Sequence, residues 1–347
     1  MPRVNGRFAT PPTLADVAEL AGVSRQTVSN AVNNPDLLRA DTLARVQSAI
    51  EQLGYQPNRA ARSLRTRASH LLGLRLPALA EGTANAAMDR FVHSLVETAG
   101  AAGYHVLLFD GDHEDPVAGY DDLLRSTAVD AFVVTDTYLG NPQAAWLQSR
   151  RAQFVAFGRP WDQPEARHPW VDVDSAYGAE LATDHLIDRG HTRIAWIGWR
   201  KDSLLGEERR SGWTGTMRAR GLSTSGLASR VEDSIASGRL AASALLDEAP
   251  AAHERPTAFV CASDTLAMGV FHTLFERGLR PGTDIAVVGF DDTPVAQTVP
   301  PGLTSVRQPL EDVAKELVKA LEGLLATPSY AAGGLMLKPT LQVRGSS

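Results

Sequence analysis

Residues 13–33 read TLADVAELAGVSRQTVSNAVN, and this stretch decides how the amino end folds. Thr13 carries the hydroxyl of a helix N-cap, and Leu14, Val17, Ala18 and Ala21 follow at the spacing of one apolar helix face. Gly22 supplies a tight turn, Val23 packs beneath it, and Ser24 caps a second short helix bearing Val28, Ala31 and Val32. Two short helices joined at a glycine turn form a helix-turn-helix, whose second helix is sized for the DNA major groove. Arg25, Gln26, Thr27, Ser29 and Asn30 face away from its apolar side, and Arg, Gln and Asn can each pair bidentately with a base edge. A helical hairpin with a polar surface has the same outline, so the rest of the chain has to decide between the two.

Charge is the next clue. The 347 residues carry a net −6, which by itself argues against a nucleic-acid partner, yet residues 1–70 hold nine Arg, no Lys and five acids. A head of +4 therefore sits on a body of −10, as expected where one part meets phosphates and the other does not. A hydrophobic fraction of 44% is enough for substantial cores and excludes a disordered chain. The one cysteine, Cys261 in the apolar run TAFVCAS, permits no internal disulfide and reads as a buried core thiol. No apolar run approaches a membrane span, and the Pro/Arg-rich amino end lacks the core of a secretion signal, so a cytoplasmic protein is expected.

Residues 1–12 read as a loose arm, and a third helix is expected from about Asp41 to the Leu53–Gly54 stop. A basic linker follows, YQPNRAARSLRTRAS, with Arg59, Arg62, Arg65 and Arg67 and room for a short helix over Arg59–Leu64. From Leu71 the texture changes to short apolar runs alternating with amphipathic helical patterns. The runs are LLGLRL, YHVLLF, DAFVVT and QFVAF, then WVDVD, RIAWIG, TAFVCA and DIAVVGF. Strands separated by helices make parallel sheets covered on both faces, and two such sets imply two doubly wound α/β lobes. Ligands of these sheets bind beyond the carboxyl ends of the strands.

The order of parts resembles that of the LacI/GalR family of bacterial transcriptional repressors. The likeness is carried by TLADVAELAGVSRQTVSNAVN, GYQPNRAARSL, HLIDRGHTRIAWIG, the R-x-x-G-W run at 209–213, CASDTLAMGV and DIAVVGFDDTPVAQTVPPGLTSVRQP. It implies an all-α helix-turn-helix domain over 1–56, a hinge helix over 57–69, and an effector-binding and dimerisation domain over 70–347 resembling type I periplasmic binding proteins. Three crossovers near 160–170, 298–302 and 328–334 would give a first lobe of about 70–169 and 301–330, and a second of about 170–300 and 331–347. The resemblance further implies that Ser24 and Thr27 touch phosphates while Arg25, Gln26 and Asn30 read bases. Thr13, Ser29, Asn33, Tyr55, Asn58 and Arg59 complete the implied interface. Leu64 would enter the minor groove beside Ala61 and kink the duplex, a wedge whose unstacking cost is offset by wider contact.

Arg209, Ser263 and Asp291, with Phe290 nearby, match the family's effector contacts, and Asp136, Arg159 and Asp172 lie at other strand ends. An Arg and an Asp facing one another across a cleft suit the vicinal hydroxyls of a sugar. Trp161, Trp170, Trp199 and Trp213 offer faces for stacking. Some sugar-responsive members carry an acid after the fourth strand, where this chain has Gly158-Arg159, and the third helix begins at Arg39 in place of the usual hydroxyl cap. The expected protein is thus a homodimeric repressor of carbohydrate-utilisation genes on a pseudo-palindromic operator, with no membrane partner, cofactor or catalytic residue. A purine corepressor is the alternative, and a transport component a more remote one. An enzyme is disfavoured: DGDHED at 110–115 has Asp115 where a calcium loop needs glycine, so no metal is expected, and His185 and His191 read as fold-supporting.

Overall fold

The computed structural model describes residues 12–56, 68–76, 86–110, 115–135, 137–161, 166–248, 251–327 and 333–347. The chain divides into two compact units, Met1–Ser69 and His70–Ser347.

In the first unit, α1 (Leu14–Ala21) opens on a capping box: Asp16 N–H donates to Thr13 Oγ1, and Thr13 N–H donates to Asp16 Oδ2 at 2.6 Å. It stops at Gly22, whose φ of 65° is left-handed. Ser24 caps α2 (Arg25–Asn33), and α3 (Ala40–Leu53) ends at Gly54 with φ 61°. The α3 N-cap is Arg39, which makes no side-chain capping bond. Val17, Ala18, Ala21, Val28, Val46, Ala49 and Tyr55 form the core of the three helices. Tyr55, expected at the DNA interface, is 8% exposed and its ring packs in this core.

The second unit holds two six-stranded sheets. The strands are β1 (Leu71–Leu76), β2 (His105–Asp110), β3 (Ala131–Val134), β4 (Phe154–Phe157), β5 (Trp170–Val173), β6 (Ile194–Gly198), β7 (Ala228–Arg230), β8 (Ala258–Cys261), β9 (Ala286–Phe290), β10 (Thr304–Arg307), β11 (Gly334–Leu337) and β12 (Thr340–Gln342). Their orders are β11-β5-β4-β3-β1-β2 and β12-β10-β9-β8-β6-β7. All neighbours are parallel except β10 and β12. The helices are α4 (Ala86–Ala101), α5 (Ala118–Arg125), α6 (Pro142–Ser149), α7 (Ser175–Asp188), α8 (Leu204–Ala219), α9 (Ile235–Asp247), α10 (Asp264–Glu276), α11 (Pro294–Thr298) and α12 (Leu310–Ala326). Phe91 and Leu95 of α4 and Leu317 and Leu321 of α12 cover one face of the first sheet, while Tyr120 of α5 and Leu147 of α6 cover the other.

The lobe boundaries differ from the sequence expectation. β5 pairs with β4 and β11, so WVDV belongs to the first lobe and the chain crosses after Val173. β10 pairs with β9, which puts 304–307 in the second lobe. β11 returns to the first sheet beside β5, and the last crossing falls between Leu337 and Thr340. Each is a strand of four residues, and which sheet accepts so short a strand is set by its neighbours and not by its own pattern.

Gly212, inside the R-x-x-G-W run, lets α8 close on α7: a Cβ there would run into the Ala176 carbonyl. Gly212→Ala is expected to force the helices apart at about 1–3 kcal/mol, lowering the thermal midpoint by several degrees in a calorimetric scan.

Candidate functional site

Two surfaces carry the chemistry. On the first unit, Ser24, Arg25 and Gln26 are exposed at the start of α2, and Thr27, Ser29, Asn30 and Asn33 are half-buried. The cap fixes this end: Thr27 N–H donates to Ser24 Oγ at 3.1 Å, and the two hydroxyls lie 2.9 Å apart. Gln26 Nε2 donates to Asn30 Oδ1 at 3.0 Å, and Asn33 Nδ2 donates to the Ser29 carbonyl at 2.7 Å. The exposed Thr13 is occupied by its capping box with Asp16. Asn58, Arg59, Ala61 and Leu64 lie outside the described residues.

The second surface is built at the carboxyl ends of the strands, between the lobes. Arg209 of α8 is 1% exposed. Its guanidinium donates to the Ala262 carbonyl after β8, lies 3.6 Å from Asp291 Oδ1, and sits 3.6 Å over the Phe290 ring and 4.9 Å from that of Trp199. Asp291 directly follows β9 with φ 104°, a conformation that costs a non-glycine residue about 1–3 kcal/mol. It is held there by its own N–H to Val306, by Gln308 Nε2 on its Oδ1 at 2.6 Å, and by Arg90 of the first lobe on its carbonyl at 3.4 Å. Burial pushes the Asp291 carboxyl above its usual range against the pull of Arg209 and Gln308. Ser263 caps α10 and donates to Asp233.

Arg159 follows Gly158, whose φ of 116° and closeness to Thr137 leave no room for a Cβ. Its Nε donates to Asp172 Oδ2 at 2.6 Å within the first lobe, and its Nη2 reaches Glu208 Oε1 of α8 at 2.7 Å, crossing to the second. The guanidinium also lies 4.6 Å over Trp161. Glu208 is thus a cross-lobe partner, and burial raises its carboxyl to about 7 despite the Arg159 charge. Three buried polar atoms here have no partner among the described residues: Glu208 Oε2, Arg209 Nε and Trp199 Nε1.

The structure therefore brings together Arg209, Phe290 and Asp291, seats Ser263 at the end of β8, and sets Arg159 against the facing lobe. Asp136 lies outside the described residues. Trp213 is removed from the stacking candidates: it is fully buried in the second lobe's core, its Nε1 donating to the Ile194 carbonyl. Trp170 packs inside the first lobe, against Gly334. Sequence reasoning missed Arg90, Glu208, Asp233 and Gln308. His185 and His191 bond Ser347 and Thr257, and the Cys261 thiol is buried, as read. No cluster of three metal-ligating side chains occurs among the described residues.

Residues 13–58 match the family described as "Bacterial regulatory proteins, lacI family", and residues 183–347 that described as "Periplasmic binding protein-like domain". The chain is 34% identical to the HTH-type transcriptional regulator CelR of Thermobifida fusca, covering 96% of this chain and 98% of the relative. Among solved structures, a transcriptional regulator CelR–cellobiose complex aligns with a TM-score of 0.73 at 31% identity, covering 97% of this chain and all of that one. The Lac repressor dimer bound to operator and the anti-inducer ONPF aligns with a TM-score of 0.82 at 28% identity, over 97% of this chain and 99% of that chain.

Glu208 gives the cleft a pH signature. A carboxyl raised from 4.5 to about 7 keeps its proton in the folded protein where the unfolded chain has released it, so its contribution to stability is full below pH 4.5 and lost as pH rises through 7. His168, lowered to about 4 by burial, acts in the opposite sense over an overlapping range, so the difference between two proteins is the clean readout. The stability of wild type relative to Glu208→Gln, from urea melts, is expected to fall between pH 5 and pH 7 by at most about 1.4 kcal/mol per pH unit and to level off above.

Proposed function

Because the chain belongs to the LacI family of bacterial regulatory proteins, we propose that it is a homodimeric repressor of carbohydrate-utilisation genes whose hold on its operator is changed by a small sugar between the lobes. It is a DNA-binding transcriptional regulator and not an enzyme. No helix among the described residues is long and apolar enough to cross a membrane. A DNA-binding regulator of this family meets its operator in the cytoplasm, and the protein is read as cytoplasmic on that ground.

The observation that carries the sugar reading is the buried Arg209–Asp291 pair, surrounded by polar atoms with no partner. A polyol supplies both senses of hydrogen bond: its hydroxyls donate to a carboxylate and accept from a guanidinium or an indole. The relative solved with cellobiose is the precedent for that ligand class. On the DNA side, Arg25, Gln26 and Asn30 read bases, Ser24 and Thr27 meet phosphates, and Leu64 wedges the centre of the site. Leu240 and Phe275, 60% and 83% exposed on the paired helices α9 and α10, offer an apolar surface to a second copy, and a two-fold dimer reads a pseudo-palindrome.

Coupling follows from linkage. DNA and sugar favour different relations of the lobes, so each shifts the other's affinity by the same factor, on the order of 5–150-fold. Fluorescence anisotropy with a labelled operator tests this: cellobiose, ribose or glucose is expected to move the binding curve by such a factor, and Asp291→Ala to remove the shift. A response to hypoxanthine and to no sugar would replace the sugar reading by the purine one. In the same assay the logarithm of affinity is expected to fall linearly with the logarithm of salt concentration, and Leu64→Ala to weaken binding.

A further inference from the structure

The cleft's charges are already spent on one another, and one acid is left half-used. Asp172, Glu208, Asp233, Asp291 and Glu311 lie around Arg90, Arg159 and Arg209, an excess of two negative charges when all are ionised. Each of the three guanidinium groups already has a protein partner, although Arg209 Nε is left without one among the described residues. Arg159 is held by Asp172 and Glu208, Arg209 by the Ala262 carbonyl and Asp291, and Arg90 by Glu311 and by the carbonyls of Asp291 and Gln308. A phosphate or carboxylate entering here would meet a cleft that already carries excess negative charge.

Glu208 differs from the other acids. Both oxygens of Asp172 are bonded, to Arg159 and to the Val173 N–H, and Asp291 takes Gln308 and Arg209 on Oδ1; among the described residues neither is left with a buried oxygen lacking a partner. Glu208 gives Oε1 to Arg159 and leaves Oε2 buried and without a partner. A buried acceptor without a partner costs about 1–3 kcal/mol, more when it is charged. It lies one residue from Arg209 on the same helix, where Arg209 Nε and Trp199 Nε1 supply donors in the same state.

We propose that the effector is an uncharged polyhydroxy compound and that Glu208 is a specificity-determining residue for it. Clamped through one oxygen by Arg159 of the facing lobe, it accepts a ligand hydroxyl with the other. This rests on the cleft being the effector site and adds what that site selects. Arg159 is then the clamp, delivered by the first lobe, and the acid is supplied from the second.

The test is isothermal titration of the full-length protein with glucose, ribose and cellobiose, and with glucose 6-phosphate and gluconate as charged counterparts. Wild type is expected to bind one of the neutral sugars and to discriminate against the charged pair by about tenfold or more. Glu208→Gln keeps the shape, and is expected to weaken the neutral sugar by about 10–100-fold and to narrow that discrimination. A general loss of structure would not produce the second effect. Arg159→Gln releases the clamp and is expected to weaken the neutral sugar as well, and it serves in place of Glu208→Gln should that variant not fold. Binding that Asp291→Ala abolishes but Glu208→Gln leaves unchanged overturns this inference and spares the effector reading. A preference of wild type for glucose 6-phosphate or gluconate also overturns it. Absence of binding by every neutral sugar overturns the sugar reading and this inference together.

Discussion

A guanidinium taken almost completely out of water is the constraint around which the second unit is arranged. A bare buried charge is prohibitively expensive, so Arg209 must be surrounded by compensation, and the compensation comes from several strand ends at once. β8 presents the Ala262 carbonyl, β9 presents the Phe290 face and the Asp291 carboxylate, and Trp199 after β6 lies alongside. Asp291 in turn occupies a left-handed backbone conformation that only its partners maintain, Gln308 and Arg90 among them. Arg90 and Gln308 belong to segments outside the second sheet, so the cost of burying one charge is met by elements of both lobes. Any ligand that changes Arg209's surroundings acts on all of them.

That arrangement makes the lobes' relation sensitive to a small molecule. Polar links of two kinds join them here, Arg159 to Glu208 and Arg90 to the backbone carbonyls of Asp291 and Gln308. Neither is large, and a buried ion pair is a poor source of net stability because desolvation consumes most of the attraction. Its value lies in its conditionality: breaking one partner's contact leaves the other buried and uncompensated. An effector that makes or removes such a contact therefore has a differential free energy for two lobe arrangements, which is the only way it can bias them.

How much of this was legible follows from where the information resides. The helix-turn-helix was readable because each of its devices is local: the Thr13–Asp16 box, the left-handed Gly22 and the Ser24 cap are all encoded within a few residues of where they act. The alternation of strands and helices after Leu71 was readable for the same reason. Sheet membership of β5, β10 and β11 was not, since strands of four residues have no pattern that distinguishes one sheet from another. The packing of the Tyr55 ring into the headpiece core was not legible either, since the residue lies just past the Gly54 helix stop. Glu208 was hidden in the run EERR, which reads as a solvated helix face; only Gly158, cleared for a turn just before Arg159, hinted that the fourth strand delivers a charge to a crowded place.

The same reasoning about unmet partners bears on the DNA-facing helix. Gln26 and Asn30 lie one helical turn apart and already bond each other, through the Gln26 amide N–H and the Asn30 carbonyl. What the bond leaves over includes the Gln26 carbonyl as an acceptor and the Asn30 amide N–H groups as donors. The adenine edge in the major groove offers the complement, a donor at N6 and an acceptor at N7. The two side chains thus present a ready-made reading surface without first breaking a bond, and they lose less freedom on docking than two independent amides would. Their contributions are for the same reason not separable: removing either one strips the other of its internal partner as well as its place on a base. On the proposed reading, recognition by α2 is a property of the joined pair, whose hydrogen bond is already present in the unbound protein.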